Sequence, residues 1–372
     1  MLKAINSSEY VGLAITKTLH KLKLYPLPPS NGASTARNLP SLAETKIAKV
    51  VLPSEELQVP KLTLDDLSLS KEEANVESVS ARLEKYGVCV VRNFLSPEEV
   101  SKVRNELDPI FEAKKDDPRL FPKETIRVTG AVSKSPTFVR EVLAHPLNVE
   151  VSEKFLAKKN AFWIGENINI GYSPSIVSSS IGFRVGPGAP AQAIHRDDHS
   201  EHNINSAVEA YKYGRDTQVG ISVALSNVTK ENGGTRFIPG SHLWDHLRKP
   251  RVDEQCMHID GLEEGDAFFM LGSVFHGAGT NVTADQYRTL LILFMCSATS
   301  RQKENIYLTT PIDYWKQFNV EELRLLGLSM SEPFSGMLEL QDPTVALRPG
   351  YIRRSNYSDI CKVVPTFDNI NQ

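Results

Sequence analysis

Two hydrophobic periodicities run along this chain and divide it into a helical opening and a long β-rich stretch. Val76 to Tyr86 carries apolar residues at helical spacing and is stopped by Gly87, which predicts a helix; Val88 to Phe94 then reads as a strand. Ser96-Pro97-Glu98-Glu99 has the form of a capping box with proline at the first helical position, so a second helix should start there. After Ser135-Pro136, a further helix would carry Val139, Val142 and Leu143 towards a core. From Phe162 to Tyr172 and from Ser180 to Val185 the alternation is of period two, and it resumes at Gln218 to Leu225. Asn232 to Ser241 predicts a chain reversal, Leu290 to Met295 is an apolar strand, and Val320 to Leu326 is a late helix. Short strands with glycine turns, helices gathered towards the N-terminal side and no βαβ alternation predict a mainly β fold with surrounding helices. The expected core is a double-stranded β-helix of jelly-roll, cupin-like type.

Composition narrows the partners. Among 372 residues, 42 basic and 45 acidic side chains leave a net charge of −3, which gives no basic signature for nucleic acid and makes a small-molecule substrate the expectation. Cys89, Cys256, Cys296 and Cys361 show no C-x-x-C spacing, and Cys89 and Cys296 lie in apolar strand-like runs, so an intracellular, cytoplasmic setting is expected. No apolar run approaches the roughly 18 residues of a membrane span. Residues 1–70 read as an N-terminal extension, flexible or packed on the domain or on a partner subunit. Lys3, Lys17, Lys21, Lys23 and Arg37 face only Glu9 before Glu44, which leaves a mitochondrial-type presequence as the alternative.

The chemistry centres on Gln192-Ala193-Ile194-His195-Arg196-Asp197-Asp198-His199. A histidine and a carboxylate two positions apart project to one face of an extended strand and can grip one metal. A third ligand from elsewhere would complete a two-histidine, one-carboxylate face with open positions opposite it. His276 is the expected partner because it ends the apolar run Phe269 to Phe275, just before Gly277-Ala278-Gly279. Asp198, next to Asp197, would point to the opposite face of a strand and is expected to hydrogen-bond rather than to ligate. Arg288 opens the apolar run Leu290 to Met295, and a guanidinium at the start of a buried strand needs an anion, for which a dicarboxylate is suited. Residues 198–215 are polar and long enough to form a lid.

His195-x-Asp197, His276 and Arg288, together with Asn232-Gly233-Gly234-Thr235-Arg236-Phe237-Ile238-Pro239-Gly240-Ser241-His242, resemble the iron(II)- and 2-oxoglutarate-dependent dioxygenases. Within them the resemblance is to the phytanoyl-CoA dioxygenase-like (PhyH) superfamily, over roughly residues 75 to 350. It implies a catalytic domain at 71–372 with a C-terminal lid segment, iron(II) on His195, Asp197 and His276, and 2-oxoglutarate and O2 as cosubstrates. It further implies that Arg288, Gln192, Thr235 and Lys134 contact the cosubstrate, and that His242 is structural. The most similar relatives are fungal secondary-metabolite oxygenases, which implies oxidation of an unactivated C–H bond by hydroxylation, desaturation or a related reaction, in a homodimer. The alternatives are an acyl-CoA 2-hydroxylase of the phytanoyl-CoA type, a zinc hydrolase, and a non-catalytic metal-binding jelly roll.

Overall fold

The computed structural model describes residues 59, 61–114, 122–251, 255–332 and 334–352. The presequence alternative and Cys361 lie outside them. Among the described residues twelve strands follow in order: β1 (Ser68–Leu69), β2 (Val88–Val91), β3 (Thr125–Thr129), β4 (Lys158–Ile164), β5 (Asn167–Ser173), β6 (Ser175–Val185), β7 (Gln218–Ala224), β8 (Thr235–Phe237), β9 (Met257–His258), β10 (Ala267–Leu271), β11 (His276–Ala278) and β12 (Arg288–Ser297). Seven of them form one sheet in the order β1-β2-β10-β7-β12-β6-β3. A smaller sheet has the order β11-β8-β9, and β4-β5 is a separate hairpin. All pairings are antiparallel except β1 with β2.

The expected helices cover one side of the large sheet. Helix α1 (Val76–Tyr86) begins with an Asn75/Ser78 capping box and ends at Gly87, whose φ of 81° is left-handed. Helix α2 (Pro97–Ala113) starts at the Ser96/Glu99 box and buries Val100, Val103, Leu107 and Phe111 along one stripe. Helix α3 (Pro146–Leu156) packs its Val151 and Phe155 face towards β6, β7 and β12. Val139, Val142 and Leu143 are buried as expected, although Val139–Leu143 is a single π-helical turn following the short α-helix Pro136–Phe138. The late helix, α4 (Val320–Leu325), carries another capping box. Strands β7 and β10 are buried at every position, because these helices cover one face and the other face looks inward between the two sheets.

Two expectations change. Gln192 to Asp197 is not a regular strand: the backbone is extended as far as Arg196, and at Asp197 it enters a 3-10 turn, Asp197–Glu201. Residues 198–215 do not hang free as a lid. Asn203 Nδ2 bonds both Asp198 Oδ2 and the Arg215 carbonyl at 2.9 Å, Arg215 reaches the carbonyls of His242 and Trp244, and Tyr211 packs edge-on against Phe155. Most of the segment faces solvent as its polarity suggests, but Asn203, Tyr211 and Arg215 anchor it as a brace beneath the turn that bears Asp197.

The Pro239-Gly240-Ser241-His242 turn is a second brace. Gly240 N donates to the Tyr86 carbonyl at 3.0 Å, and Ser241 Oγ receives the Phe275 N–H at 2.9 Å, immediately before His276. His242 is fully buried with Nε2 2.9 Å from the Glu84 carbonyl, which makes it structural, and burial pulls its ring down to about 4. Because this folded-state value lies below that of an exposed histidine, the stability it gives is complete above pH 6.5 and is lost as pH falls through 4. The loss should reach roughly 3 kcal/mol, and His242→Gln should flatten the acid limb of a stability-against-pH curve measured by urea unfolding. A Cβ at Gly87 would lie 2.4 Å from Val274 Cγ2 and 2.7 Å from His242 Nδ1, on a backbone that disfavours it. Gly87→Ala is therefore expected to cost about 2 kcal/mol or more in the same measurement.

Candidate metal centre

His195 and His276 meet through their main chains. His195 N donates to the His276 carbonyl at 2.9 Å and His276 N to the His195 carbonyl at 2.8 Å, an isolated antiparallel bridge that appends the 195 segment to the edge of β11. Residues directly opposite in such a pair put their side chains on one face; the ring centroids are 4.7 Å apart. The 3-10 turn then folds Asp197 beneath them, with its N–H on the Gly272 carbonyl at 3.0 Å. Asp197 Oδ1 lies 3.5 Å from His195 Nε2, and Oδ2 lies 3.4 Å from His276 Nε2.

These separations are too long for charge-assisted hydrogen bonds, which close to about 2.7–2.9 Å. The Nδ1 atoms face main-chain carbonyls two residues back, Ala193 at 2.9 Å and Val274 at 3.1 Å, so both rings turn Nε2 inward. Asp197 Oδ2 is buried and receives no hydrogen bond. Two free imidazole nitrogens and an orphaned carboxylate oxygen, all within 4.8 Å of one another, form a donor set that fits a divalent transition metal. Burial raises the Asp197 carboxyl, but His276, His195 and Lys303 outweigh it and hold it below the usual carboxylate range. Burial holds the His276 ring below its usual range, with Asp197 opposing. At His195 burial acts downward, yet Asp197 and the Ala193 carbonyl leave the ring raised.

A cavity of about 360 Å³ opens between the two sheets and is lined by Gln192, Thr235 and Arg288, with Leu290, Ile292 and Phe183 as apolar walls. Arg288, Leu290 and Ile292 alternate along one face of β12, and Arg288 stands opposite Val185 of β6. The guanidinium is 3% exposed, its Nε has no acceptor, and among the described residues no carboxylate pairs with it. Burial alone pulls it down to about 10. The ion pair that would make Arg288 merely structural is thus missing among the described residues. Gln192 Oε1 accepts the Ala278 N–H at 3.2 Å, and Thr235 sits opposite Ala278 in register.

Lys134 does not join them. Its ammonium is turned onto the carbonyls of Thr129 at 2.6 Å and Gly130 at 3.3 Å, beside Glu304, because the left-handed Gly130 and the 3-10 turn Ala131–Ser133 fold it back. Arg127 is the nearest basic residue on β3 by register, although it does not line the cavity. It shares a β3 face with the cavity-lining Thr125 and stands opposite Phe183, also of the cavity wall.

Asp198 is buried and accepts a hydrogen bond from Asn203, with burial raising its carboxyl. Arg196, between the ligands, donates to the Ser241 carbonyl at 2.8 Å and stacks 4.4 Å over the Phe275 ring. It therefore ties the turn of Asp197 to the strand of His276.

Several known proteins are similar to this chain. The phytanoyl-CoA dioxygenase (PhyH) model matches residues 83–290, a span that contains the three clustered side chains and Arg288. Dioxygenase cnsJ of Penicillium expansum is 36% identical over 73% of this chain and 82% of its own length. Dioxygenase peniF of Penicillium patulum is 34% identical over 73% and 89% respectively. Among solved structures, the non-heme alpha ketoglutarate dependent epimerase SnoN from nogalamycin biosynthesis aligns over 60% of this chain and 83% of its own, at 20% identity and a TM-score of 0.46. On the extent of the family match and the identity to these relatives, the chain belongs to the phytanoyl-CoA dioxygenase (PhyH) family.

Proposed function

We propose that this protein is an iron(II)- and 2-oxoglutarate-dependent dioxygenase that oxidises an unactivated C–H bond of a small organic molecule in secondary-metabolite biosynthesis. One observation carries the reading: an inward-facing His195, Asp197 and His276 donor set adjoins a cavity whose buried cation, Arg288, has no carboxylate partner among the described residues. A non-catalytic jelly roll would leave that desolvated charge unexplained, and a zinc hydrolase would have no use for it.

Iron(II) with 2-oxoglutarate and O2 supplies the oxidising power, with succinate and carbon dioxide as the cosubstrate's products. The protein's own residues position and shield. His195 and His276 keep Nε2 available because their Nδ1 protons are spent on carbonyls. Arg288 neutralises the distal carboxylate of the dicarboxylate in a site that excludes water, Thr235 and Gln192 border it, and Leu290 and Ile292 hold its carbon chain.

The reading extends to an intracellular enzyme, supported by the buried free thiols of Cys89 and Cys296, and to a homodimer. No helix among the described residues is long and apolar enough to cross a membrane. The β4–β5 hairpin leaves Trp163 64% exposed, an apolar surface suited to a second copy. Light scattering at micromolar concentration should give twice the mass of one chain, and a single-chain mass would remove the dimer from the reading.

Anaerobic protein mixed with iron(II) and titrated with 2-oxoglutarate should develop a weak visible charge-transfer band. Asp197→Ala should abolish the band while the circular dichroism spectrum is retained. Arg288→Ala should keep it but raise the 2-oxoglutarate concentration for half-saturation by roughly thirtyfold or more, the effect of removing one partner of a buried charge pair. An Arg288→Ala titration that overlays the wild type would refute the assignment of that residue.

A further inference from the structure

The segment that carries His195 lies against β11 with one residue too many. Gln192 N donates to the Ala278 carbonyl at 3.0 Å and His195 N to the His276 carbonyl at 2.9 Å, so Ala193 and Ile194 together stand opposite Gly277. Two residues facing one is a β-bulge, a device that turns main-chain groups out of a ladder and re-aims the side chains beside it. In a regular antiparallel pair, Gln192 and Ala278 would exchange both of their main-chain bonds. Here the return bond from the Ala278 N–H goes at 3.2 Å to the Gln192 side chain, at Oε1. The carbonyls of Gln192 and Ala193 are thereby left outside the ladder.

Both carbonyls are used. That of Ala193 faces His195 Nδ1 at 2.9 Å, and that of Gln192 receives Arg236 Nη2 at 2.8 Å. Arg236 stands directly opposite Gly277 in the β8–β11 pair, and residues so paired share one face of the sheet. The guanidinium reaches the segment across Gly277 because no side chain stands there. A Cβ on Gly277 would lie 3.1 Å from the Ala193 oxygen and 3.1 Å from the Gln192 oxygen. This face is the one away from the cavity that holds Arg288: Thr235, the neighbour of Arg236 on β8, lines that cavity, and Arg236 does not.

We infer that Arg236 is a positioning residue for the metal centre. By holding the Gln192 carbonyl outside the ladder it keeps the bulge open, so the Ala193 carbonyl stays against His195 Nδ1 and the ring offers Nε2 towards Asp197 and His276. The bare Gly277 gives the guanidinium its path, and the Gln192 side chain closes the gap left at Ala278. The inference rests on the reading of His195, Asp197 and His276 as metal ligands. It deepens that reading, because one of the three is aimed by a cation on the opposite face of the sheet. His276 takes its own orientation from the Val274 carbonyl at 3.1 Å, with no part for Arg236.

The test begins without metal. In the full-length, metal-free protein at about pH 8.5, well above the ordinary range of a histidine, nitrogen-15 NMR of the imidazoles should show His195 with its proton on Nδ1. Arg236→Met should move His195 to Nε2–H or to a mixture of tautomers and leave His276 on Nδ1–H. It should also weaken iron(II) binding, measured anaerobically by competition with a chelator, by roughly tenfold or more, the usual effect of removing a group that orients a ligating histidine. At saturating iron(II), the 2-oxoglutarate concentration that half-saturates the charge-transfer band should stay at the wild-type value, because Arg236 faces away from the cavity. Arg236→Lys, which keeps a donor of shorter reach, should fall between. Gly277→Ala disturbs the same two carbonyls from β11 and should reproduce the tautomer change even if Arg236→Met fails to fold. A wild-type His195 protonated on Nε2, or folded variants that all keep the Nδ1 proton and the wild-type iron(II) affinity, overturn the inference. So does an Arg236→Met protein whose only change is a higher 2-oxoglutarate requirement. Failure of the wild type to bind iron(II) would sink the metal reading instead, and the metal-free tautomer measurement would still decide whether Arg236 sets the His195 ring.

Discussion

The pair of main-chain hydrogen bonds between His195 and His276 is the constraint on which the site depends. Neither residue lies within a long regular strand; they come from segments far apart in sequence, and the bridge makes one the edge partner of the other. Once the backbones are paired, the alternation of side chains across a sheet decides that both rings emerge together. The site's precision therefore comes from backbone geometry, and the side chains need only rotate to bring Nε2 inward. The carbonyls of Ala193 and Val274 bring about that rotation. Much of the neighbouring structure keeps the bridge in place, from Ser241 Oγ on the Phe275 N–H to Arg196 on the Ser241 carbonyl.

The sequence was most readable where one local rule settles one local outcome. Gly87, the Ser96-Pro97-Glu98-Glu99 box and the Leu290 to Met295 run each act through their immediate neighbours, and each element formed where expected. His195, Asp197, His276 and Arg288 were readable because a charge or potential ligand set in an apolar context is conspicuous from the residue pattern alone. What could not be read depended on turns. The 3-10 turn at Asp197 replaces the strand that suggests the His-x-Asp pair, so the three residues cluster through a geometry in which the extended backbone ends one residue early. Lys134 shows the same limit: its charge and position beside Ser135-Pro136 are visible in sequence, but the left-handed Gly130 and the turn that set its ammonium onto carbonyls are not. At 198–215 polarity marks the solvent-facing residues, but it does not reveal which few, Asn203 and Arg215 among them, tie the segment down.

Along β12 the interior is electrostatically graded. Arg288 is a buried cation without a partner among the described residues, Leu290 and Ile292 along the same face are apolar, and Lys303 after the strand reaches Glu201, Gln218 and the Asp197 carbonyl. On the proposed reading, a dicarboxylate would set one carboxylate on Arg288 and its carbon chain against Leu290 and Ile292, which would leave its other end to the histidines.

The same gradient explains why burying so many charges is tolerable. Asp197 and Arg288 each carry a desolvation cost, and each stands where a diffusible ion of opposite sign can lower it. Stability is thus held back from the resting fold and released on binding, so occupancy of the metal and anion sites should tighten the region that the two braces surround. The scaffold bears this cost because much of its core lies away from the cavity, with Leu290 belonging to both. Helices α1 to α3 bury their apolar stripes on the far side of β7, β10 and β12, where no ligand reaches. The inward face is then free to carry chemistry, while the outward face supplies the packing that keeps the sheet in register.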